Sequence, residues 1–114
     1  VIDLGQWWVG QTGLPLPLGG NVIRRDLGQS AIAELSELLR ASIRFGLEHR
    51  AEAVQHALKY ARDMGRDLAD RFVGMYVNDW TLDYGRRGRD AVNELLRRGH
   101  QAGLTPKACP VTFV

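Results

Sequence analysis

The segment Leu14-Pro15-Leu16-Pro17-Leu18-Gly19-Gly20 decides how this chain of 114 residues is organised. Its two prolines remove backbone donors and fix φ, and its two glycines permit backbone conformations that other residues resist. The pattern predicts an extended connector that ends in a flexible or closely approached backbone. The connector separates a short N-terminal stretch from a long remainder.

A short helix is predicted before the connector. Residues 5–12 include the adjacent tryptophans Trp7 and Trp8, and Gly13 stands where a helix would stop. One to two turns of helix are therefore expected here.

Extended segments are predicted at three places. Residues 21–26 place a β-branched pair before charged residues and are bounded by Gly20 and Gly28, which predicts a strand. Residues 1–5 resemble the end of a buried strand already in progress, and the tail 110–114 is expected to be extended. Because the chain opens without an initiator Met, we interpret it as a piece of a longer protein.

The rest of the chain is predicted to be helical, because apolar residues recur at spacings of three and four and glycines stand at the expected ends. Ser30 and Asp67 are predicted to cap the starts of two helices. The predicted helices cover about 30–45, 50–64, 67–77 and 85–102, with a loop at 80–84. Their predicted inward residues are Ile32, Leu35, Leu39 and Ile43, then Val54, Ala57, Leu58 and Ala61, then Leu68, Phe72, Met75 and Tyr76, then Ala91, Val92, Leu95 and Leu96.

Composition and charge limit the function classes. Hydrophobic residues make up 45% and charged residues 25% of the chain, which is typical of a soluble globular domain. Lys and Arg number 15 and Asp and Glu 13, giving a net charge of +2 with acids and bases interleaved, so nucleic acid and anionic membranes are not expected partners. The best apolar run, 72–77, is far shorter than the roughly 18 residues that a membrane span needs. The single cysteine, Cys109, cannot form an internal disulfide, which favours a reducing, cytoplasmic location.

Metal and nucleophile chemistry is not expected. His49, Glu52 and His56 share a helical stretch, but at about 1.5 Å of rise per residue the two histidines stand roughly 10 Å apart, too far for one zinc ion. They are interpreted as a solvated helix face. His100 is interpreted as a partner of the helix dipole. Cys109 has no evident base beside it and is not expected to act as a nucleophile.

Phosphate-binding patterns are weak. Residues 85–88, Gly-Arg-Arg-Gly, match the bare GxxG of KH modules, but the strands that frame such a loop are missing nearby. Arg86 and Arg87 are therefore interpreted as a solvated, charged helix start. Neither the dinucleotide-binding nor the P-loop glycine pattern occurs. The connector is the better candidate, because the backbone of Gly19 and Gly20 can approach a ligand closely; the alternative is that these glycines serve only packing or a bend.

Four longer strings go beyond these short patterns. They run in the order Asp3-Leu4-Gly5-Gln6-Trp7-Trp8, Thr12-Gly13-Leu14-Pro15-Leu16-Pro17-Leu18-Gly19-Gly20, Arg24-Arg25-Asp26-Leu27-Gly28, and Tyr76-Val77-Asn78 with Leu82-Asp83-Tyr84-Gly85. Together they resemble the C-terminal part of the 1,4-dihydroxy-6-naphthoate synthase family of the futalosine route to menaquinone. The resemblance extends over essentially the whole chain.

The resemblance implies an α/β fold, of which this chain is the C-terminal, mostly helical part: a two-lobed domain like the type II periplasmic binding proteins, with substrate in the cleft. Residues 1–28 would be the end of the second lobe with its return connector and strand, and 29–114 the helical part. The implied reaction is a lyase-type cleavage of cyclic dehypoxanthinyl futalosine that needs no metal or organic cofactor. The family's proposed general base, a histidine, lies upstream of Val1, so no catalytic residue is assigned here and the isolated chain is expected to be inactive. The connector would return the chain between lobes, which makes Leu18, Gly19 and Gly20 candidates to line the cleft.

Other functions stay open at this level. Chorismate dehydratase of the same pathway shares the implied fold, a solute-binding protein would hold a ligand without chemistry, and a small helical module would act alone. The Tyr76-Val77-Asn78 string and the Leu-Pro-Leu-Pro-Leu-Gly run favour the synthase. The expected partner is a small-molecule substrate, with neither nucleic acid nor membrane, and a homodimer is left open.

Overall fold

The computed structural model describes residues 1–60, 65–108 and 110–114, and within them the chain is mostly helical. The six α-helices are α1 (Leu4–Thr12), α2 (Gln29–Glu48), α3 (Arg50–Ala57), α4 (Arg66–Tyr76), α5 (Asp79–Leu82) and α6 (Gly85–Gln101), and one 3₁₀ turn covers Arg25–Leu27. The short helix at 5–12 and the helices predicted near 30, 67 and 85 are confirmed. The helix predicted over 50–64 is shorter than expected, because α3 ends at Ala57 and residues 58–60 form a turn. Residues 61–64, at the end of the second long predicted helix, lie outside the described residues.

Local signals set the ends of α1. The Asp3 carboxylate accepts a hydrogen bond from the Gln6 amide at 3.0 Å, which satisfies one of the free donors of the first turn. Gly13 ends the helix with φ of 68°, and its amide donates to the Val9 carbonyl at 2.7 Å. Because a left-handed residue at this position favours glycine, the sequence signal and the structure agree.

The predicted strand at 21–26 is wrong. Residues 21–24 have no regular structure and Arg25–Leu27 forms the 3₁₀ turn. Among the residues that the structure describes, none forms a β-strand, and this includes the segments 1–5 and 110–114. A strand needs a partner to accept and donate its ladder hydrogen bonds, and no partner is supplied here.

Charge pairing further explains the conformation of this segment. Arg24 Nε donates to Asp26 Oδ1 at 2.9 Å, and this side-chain hydrogen bond lowers the pKa of Asp26. Both side chains are exposed. An ion pair between residues two apart fits a local turn at the surface. The β-branched residues before it, Val22 and Ile23, do not form a strand.

Two other local predictions are corrected. Ser30 does not cap α2, because the helix begins earlier: Gly28 precedes it with φ of 84°, and its carbonyl accepts from the Ile32 amide at 3.1 Å. Asp67 lies in the first turn of α4 rather than at its cap, which is Gly65. The predicted loop at 80–84 contains the short helix α5.

The chain packs as two compact units. The first comprises residues 1–21 and 83–113, that is α1, the connector and α6, and it buries Trp8, Gly88 and Ala91. The second comprises residues 22–82 with residue 114, and it holds the remaining helices, with Ile32, Val54 and Ala69 buried.

Much of the apolar surface predicted to be internal is exposed. In α4 only Ala69 is buried, whereas the inward residues predicted for that helix are about half exposed: Leu68 57%, Phe72 46%, Met75 54% and Tyr76 48%. Leu35 and Leu39 of α2 are also exposed. Of the predicted inward residues, Ile32, Val54 and Ala91 are buried as expected, whereas the described residues leave most of the apolar face of α4 and part of that of α2 exposed. No described helix is long and apolar enough to span a bilayer.

Candidate functional site

The start of the connector is held by the buried Trp8. Its indole Nε1 donates to the Pro15 carbonyl at 3.0 Å, and the ring is only 3% exposed. The Arg98 guanidinium lies 5.3 Å from the centre of the same ring, within cation–π range. The Trp8 indole therefore holds the Pro15 carbonyl, and with it the start of the connector, against α1.

A second contact holds the residue before the connector. The Arg87 Nη2 donates to the Gly13 carbonyl at 2.9 Å, which joins the start of α6 to the end of α1. The Thr12 hydroxyl donates to the Trp8 carbonyl at 2.8 Å and accepts from the Leu14 amide at 3.1 Å. These hydrogen bonds therefore hold the last turn of α1 and the first residue of the connector within the first compact unit.

Glu94 on α6 is hydrogen-bonded to two arginines, one of which, Arg98, contacts the Trp8 ring. Hydrogen bonds from Arg97 and then Arg98 lower the pKa of Glu94 to about 2. Arg98 Nε donates to Glu94 Oε1 at 2.7 Å. The carboxylate therefore stays ionised at neutral pH and orients the guanidinium that faces Trp8.

The far end of the connector is open. Leu18 is 54% exposed, and Gly19 and Gly20 are exposed as well. A Cβ built at Gly19 would meet no heavy atom within 4 Å, whereas one at Gly20 would lie 3.2 Å from the Tyr84 hydroxyl oxygen. The structure therefore leaves Leu18 and Gly19 free for a ligand and gives Gly20 a close neighbour.

Neither connector glycine needs its conformational freedom. The described glycines with positive φ are Gly13, Gly28, Gly85 and Gly103. Gly19 and Gly20 have backbone angles that other residues can adopt. Strain is therefore no reason for glycine at either position, and close approach is the remaining one.

Sequence reasoning missed Tyr84 as part of this region. The residue belongs to the Leu82-Asp83-Tyr84-Gly85 string that carried the family resemblance, but nothing in the local pattern points it toward the connector. The sequence pattern likewise showed Trp8 only as one of two adjacent tryptophans, and it did not indicate that the indole donates to the connector. Contacts between segments far apart in the chain supply the missing information.

The two arginines of the GxxG pattern differ from each other. Arg86 is 95% exposed and its Nε lies 3.9 Å from Asp90 Oδ2, as expected for a solvated helix start. Arg87 is also exposed, in agreement with its interpretation as solvated, and it donates in addition to the Gly13 carbonyl at 2.9 Å. The expectation that this loop does not bind RNA stays a prediction.

The histidines have neighbours within their own stretches of chain. The His49 ring stacks on Phe45 with centroids 4.0 Å apart, and the His56 ring lies 5.5 Å from that of Tyr60. His100 lies in the last turn of α6, and its Nδ1 is 3.1 Å from the carbonyl oxygen of Thr105, which follows the helix. In the part of the chain that the structure describes, no group of three or more His, Cys, Asp or Glu could hold a metal ion. Cys109 lies outside the described residues.

Comparison with known proteins places these contacts in context. A family model described as menaquinone biosynthesis matches residues 1–101. Two curated relatives are both named 1,4-dihydroxy-6-naphtoate synthase. The Thermus thermophilus protein is 39% identical over 114 residues, which is 100% of this chain and 42% of that protein. The Streptomyces coelicolor protein is 37% identical over 108 residues, which is 95% of this chain and 38% of that protein.

A solved structure is also similar. The crystal structure of a protein from Archaeoglobus fulgidus matches with a TM-score of 0.85 and 42% sequence identity, covering 92% of this chain and 40% of that chain. The chain thus spans well under half the length of each of these proteins.

Proposed function

The chain belongs to the menaquinone biosynthesis family, and on that premise we propose that it is part of an enzyme that releases 1,4-dihydroxy-6-naphthoate from cyclic dehypoxanthinyl futalosine. The observation that carries the proposal is the identity of 39% and 37% with two relatives that share the synthase name, over 100% and 95% of this chain. Both names favour the synthase over chorismate dehydratase and over a solute-binding protein. The resemblance first found in the four sequence strings is confirmed by the family match.

The proposed architecture is a two-lobed domain with substrate in the cleft, to which this chain contributes its C-terminal, mostly helical part. The exposed apolar faces of α2 and α4 support it, because amphipathic helices need a sheet or further helices to cover them. In this architecture the remaining length of the protein supplies the sheet, the general base and most of the polar contacts to the substrate.

The proposed contribution of this chain to the site is the open end of the connector. Leu18 offers an exposed apolar side chain and Gly19 offers backbone that nothing shields. Substrate sites are mostly apolar with a few fixed polar groups, and an exposed backbone supplies such groups without a side chain in the way.

The test uses the full-length protein that contains this sequence. We expect the purified enzyme to convert cyclic dehypoxanthinyl futalosine to 1,4-dihydroxy-6-naphthoate, followed by chromatography, and to leave chorismate unchanged. Conversion of chorismate alone would identify the sister enzyme, and binding without turnover would indicate a solute-binding protein.

Glycine variants test the connector itself. Gly19→Val adds a branched side chain at the open end of the connector, and Gly20→Val adds one against the Tyr84 hydroxyl. We expect turnover to fall at least about tenfold in each variant, which is about 1.4 kcal/mol of transition-state stabilisation, with a smaller change in unfolding free energy. Gly10→Val in α1 is the control, because nothing lies within 4 Å of its Cβ position and the residue lies outside the connector. Normal kinetics in both connector variants, or a loss no larger than the loss of folded protein, would contradict the assignment.

A further inference from the structure

The Tyr84 hydroxyl approaches the backbone of Gly20 within the first compact unit. Its oxygen lies 3.2 Å from the point where a Cβ at Gly20 would stand, a distance tighter than ordinary van der Waals contact. Among the described residues it is the one heavy atom found within 4 Å of that point beyond the chain neighbours of Gly20. A side chain at position 20 would therefore require the Tyr84 hydroxyl or the connector to shift by a few tenths of an ångström.

The backbone of Tyr84 is held where α6 begins. Its carbonyl accepts from the Gly88 amide at 2.8 Å. Gly85 takes φ of 53°, and its amide donates to Asp83 Oδ1 at 2.8 Å. The left-handed conformation of Gly85 turns the backbone directly after Tyr84, where α6 begins.

The ring of Tyr84 is also supported. It packs edge-on against Phe113, with centroids 6.0 Å apart and an angle of 83° between the planes. The Arg89 guanidinium lies 5.6 Å from the centre of the Phe113 ring. Edge-to-face packing of this kind favours one ring orientation, so the hydroxyl is delivered to a defined place.

The connector is consequently restrained at both ends. Trp8 and Arg87 hold its start through the carbonyls of Pro15 and Gly13, and Tyr84 limits its end at Gly20. The exposed residues Leu18 and Gly19 lie between these restraints.

We propose that Tyr84 is a positioning residue, whose hydroxyl sets the place of the Gly20 backbone and thereby the place of the substrate-facing stretch before it. This inference rests on the proposed function, because it assigns to Tyr84 an effect on turnover exerted through the connector. Tyr84 itself is not assigned a contact with substrate. Glycine at position 20 avoids a close approach, because a Cβ there would lie 3.2 Å from the Tyr84 hydroxyl oxygen.

A double-mutant cycle in the full-length enzyme tests this. Gly20→Ala forces the hydroxyl or the connector to move by a few tenths of an ångström, and we expect kcat/KM to fall about fivefold because small misplacements in a site are costly. Tyr84→Phe removes the one obstructing atom, so Gly20→Ala added in that background should change kcat/KM by less than about twofold. Gly19→Ala is the matched control: its Cβ position is unobstructed, so its effect should be the same with Tyr84 and with Tyr84→Phe.

A readout that needs no turnover separates the two proposals. In ¹⁵N-labelled full-length protein, Tyr84→Phe should shift the amide resonances of Gly19 and Gly20 and leave that of Gly10 unchanged. Unchanged connector resonances would overturn the inference whether or not the enzyme is active. Failure of the wild-type protein to convert cyclic dehypoxanthinyl futalosine would instead refute the proposed function.

The kcat/KM values of the double-mutant cycle test whether Tyr84 and Gly20 act together. If the effects of Gly20→Ala and Tyr84→Phe on kcat/KM multiply independently, to within about a factor of two, the positioning role is wrong. A loss of kcat/KM that only follows the loss of folded protein would show a structural contact and would also overturn it. Coupling in kcat/KM at unchanged stability, absent from the Gly19→Ala control, supports the proposal.

Discussion

The side chain of Arg50 links α3 to α4 and explains a glycine in the last turn of α4. Arg50 Nε donates to Asp70 Oδ1 at 2.8 Å, and Arg50 Nη2 donates to the Asp70 carbonyl at 2.8 Å. A Cβ at Gly74 would lie 2.9 Å from the same Nη2, a separation that real Cβ atoms essentially never show. The substitution Gly74→Ala must therefore displace the guanidinium.

Two opposing effects set the magnitude. Alanine is favoured over glycine in a helix interior by about 1 kcal/mol. The Arg50 and Asp70 side chains are 35% and 48% exposed, so their ion pair contributes only about 0.5 to 1 kcal/mol after screening. The hydrogen bond to the backbone carbonyl adds about 0.5 to 1.5 kcal/mol. We therefore expect Gly74→Ala to change the unfolding free energy between zero and about 1.5 kcal/mol in the destabilising direction.

Urea denaturation of the full-length protein, followed by far-ultraviolet circular dichroism, measures this. In the Arg50→Ala background nothing needs to move, so Gly74→Ala should stabilise by about 1 kcal/mol. Gly46→Ala in α2, with nothing within 4 Å of the added Cβ, is the control and should have the same effect in both backgrounds. If Gly74→Ala stabilises the protein equally with and without Arg50, the reasoning is refuted.

Two further predictions concern the first unit. Trp8→Phe removes the donor to the Pro15 carbonyl and should lower the unfolding free energy by about 1 to 3 kcal/mol, because it leaves a part-buried acceptor unsatisfied. Trp7→Phe is the control: Trp7 is 47% exposed, so its replacement should change the unfolding free energy by no more than about 0.5 kcal/mol. Equal losses of unfolding free energy in denaturation experiments would contradict the role of the Trp8 indole. Glu94 has its pKa lowered from 4.5 to about 2, so its stabilising contribution is fully present above pH 4.5 and is lost as the pH falls toward 2. An NMR titration of its carboxyl carbon should place the midpoint well below 4.5, and Arg98→Gln should raise it; a midpoint near 4.5 in the unaltered protein would mean that the hydrogen bonds to Glu94 do not persist in solution.

Sequence periodicity located the longer helices, although it predicted a loop where α5 forms and extended the second long helix beyond the end of α3. The spacing of Ile32 and its apolar neighbours predicted α2, and the glycine after Thr12 predicted the end of α1. Each helix forms hydrogen bonds between residues four apart, so the information lies within a few turns of chain. The family was likewise identifiable from sequence, because its strings are long and contiguous.

The predicted strand at 21–26 shows the limit of such reasoning. Its β-branched pair fits a pleated surface, but β propensity expresses itself only when a neighbouring strand is present. Similarly, the apolar faces of α2 and α4 were correctly located by spacing and wrongly taken as buried. Burial depends on what lies opposite a face, which the residues of one helix do not state.

The candidate site divides in the same way. Proline and glycine act on their own backbone angles, so the sequence alone predicted a connector over residues 14–20, and the structure has neither helix nor strand there. Only the tertiary structure decided that Trp8 and Arg87 hold its start and that Tyr84 stands beside Gly20. Backbone preferences are properties of single residues and their nearest neighbours, whereas these contacts join segments distant in the chain, and packing of the whole unit is what brings them together.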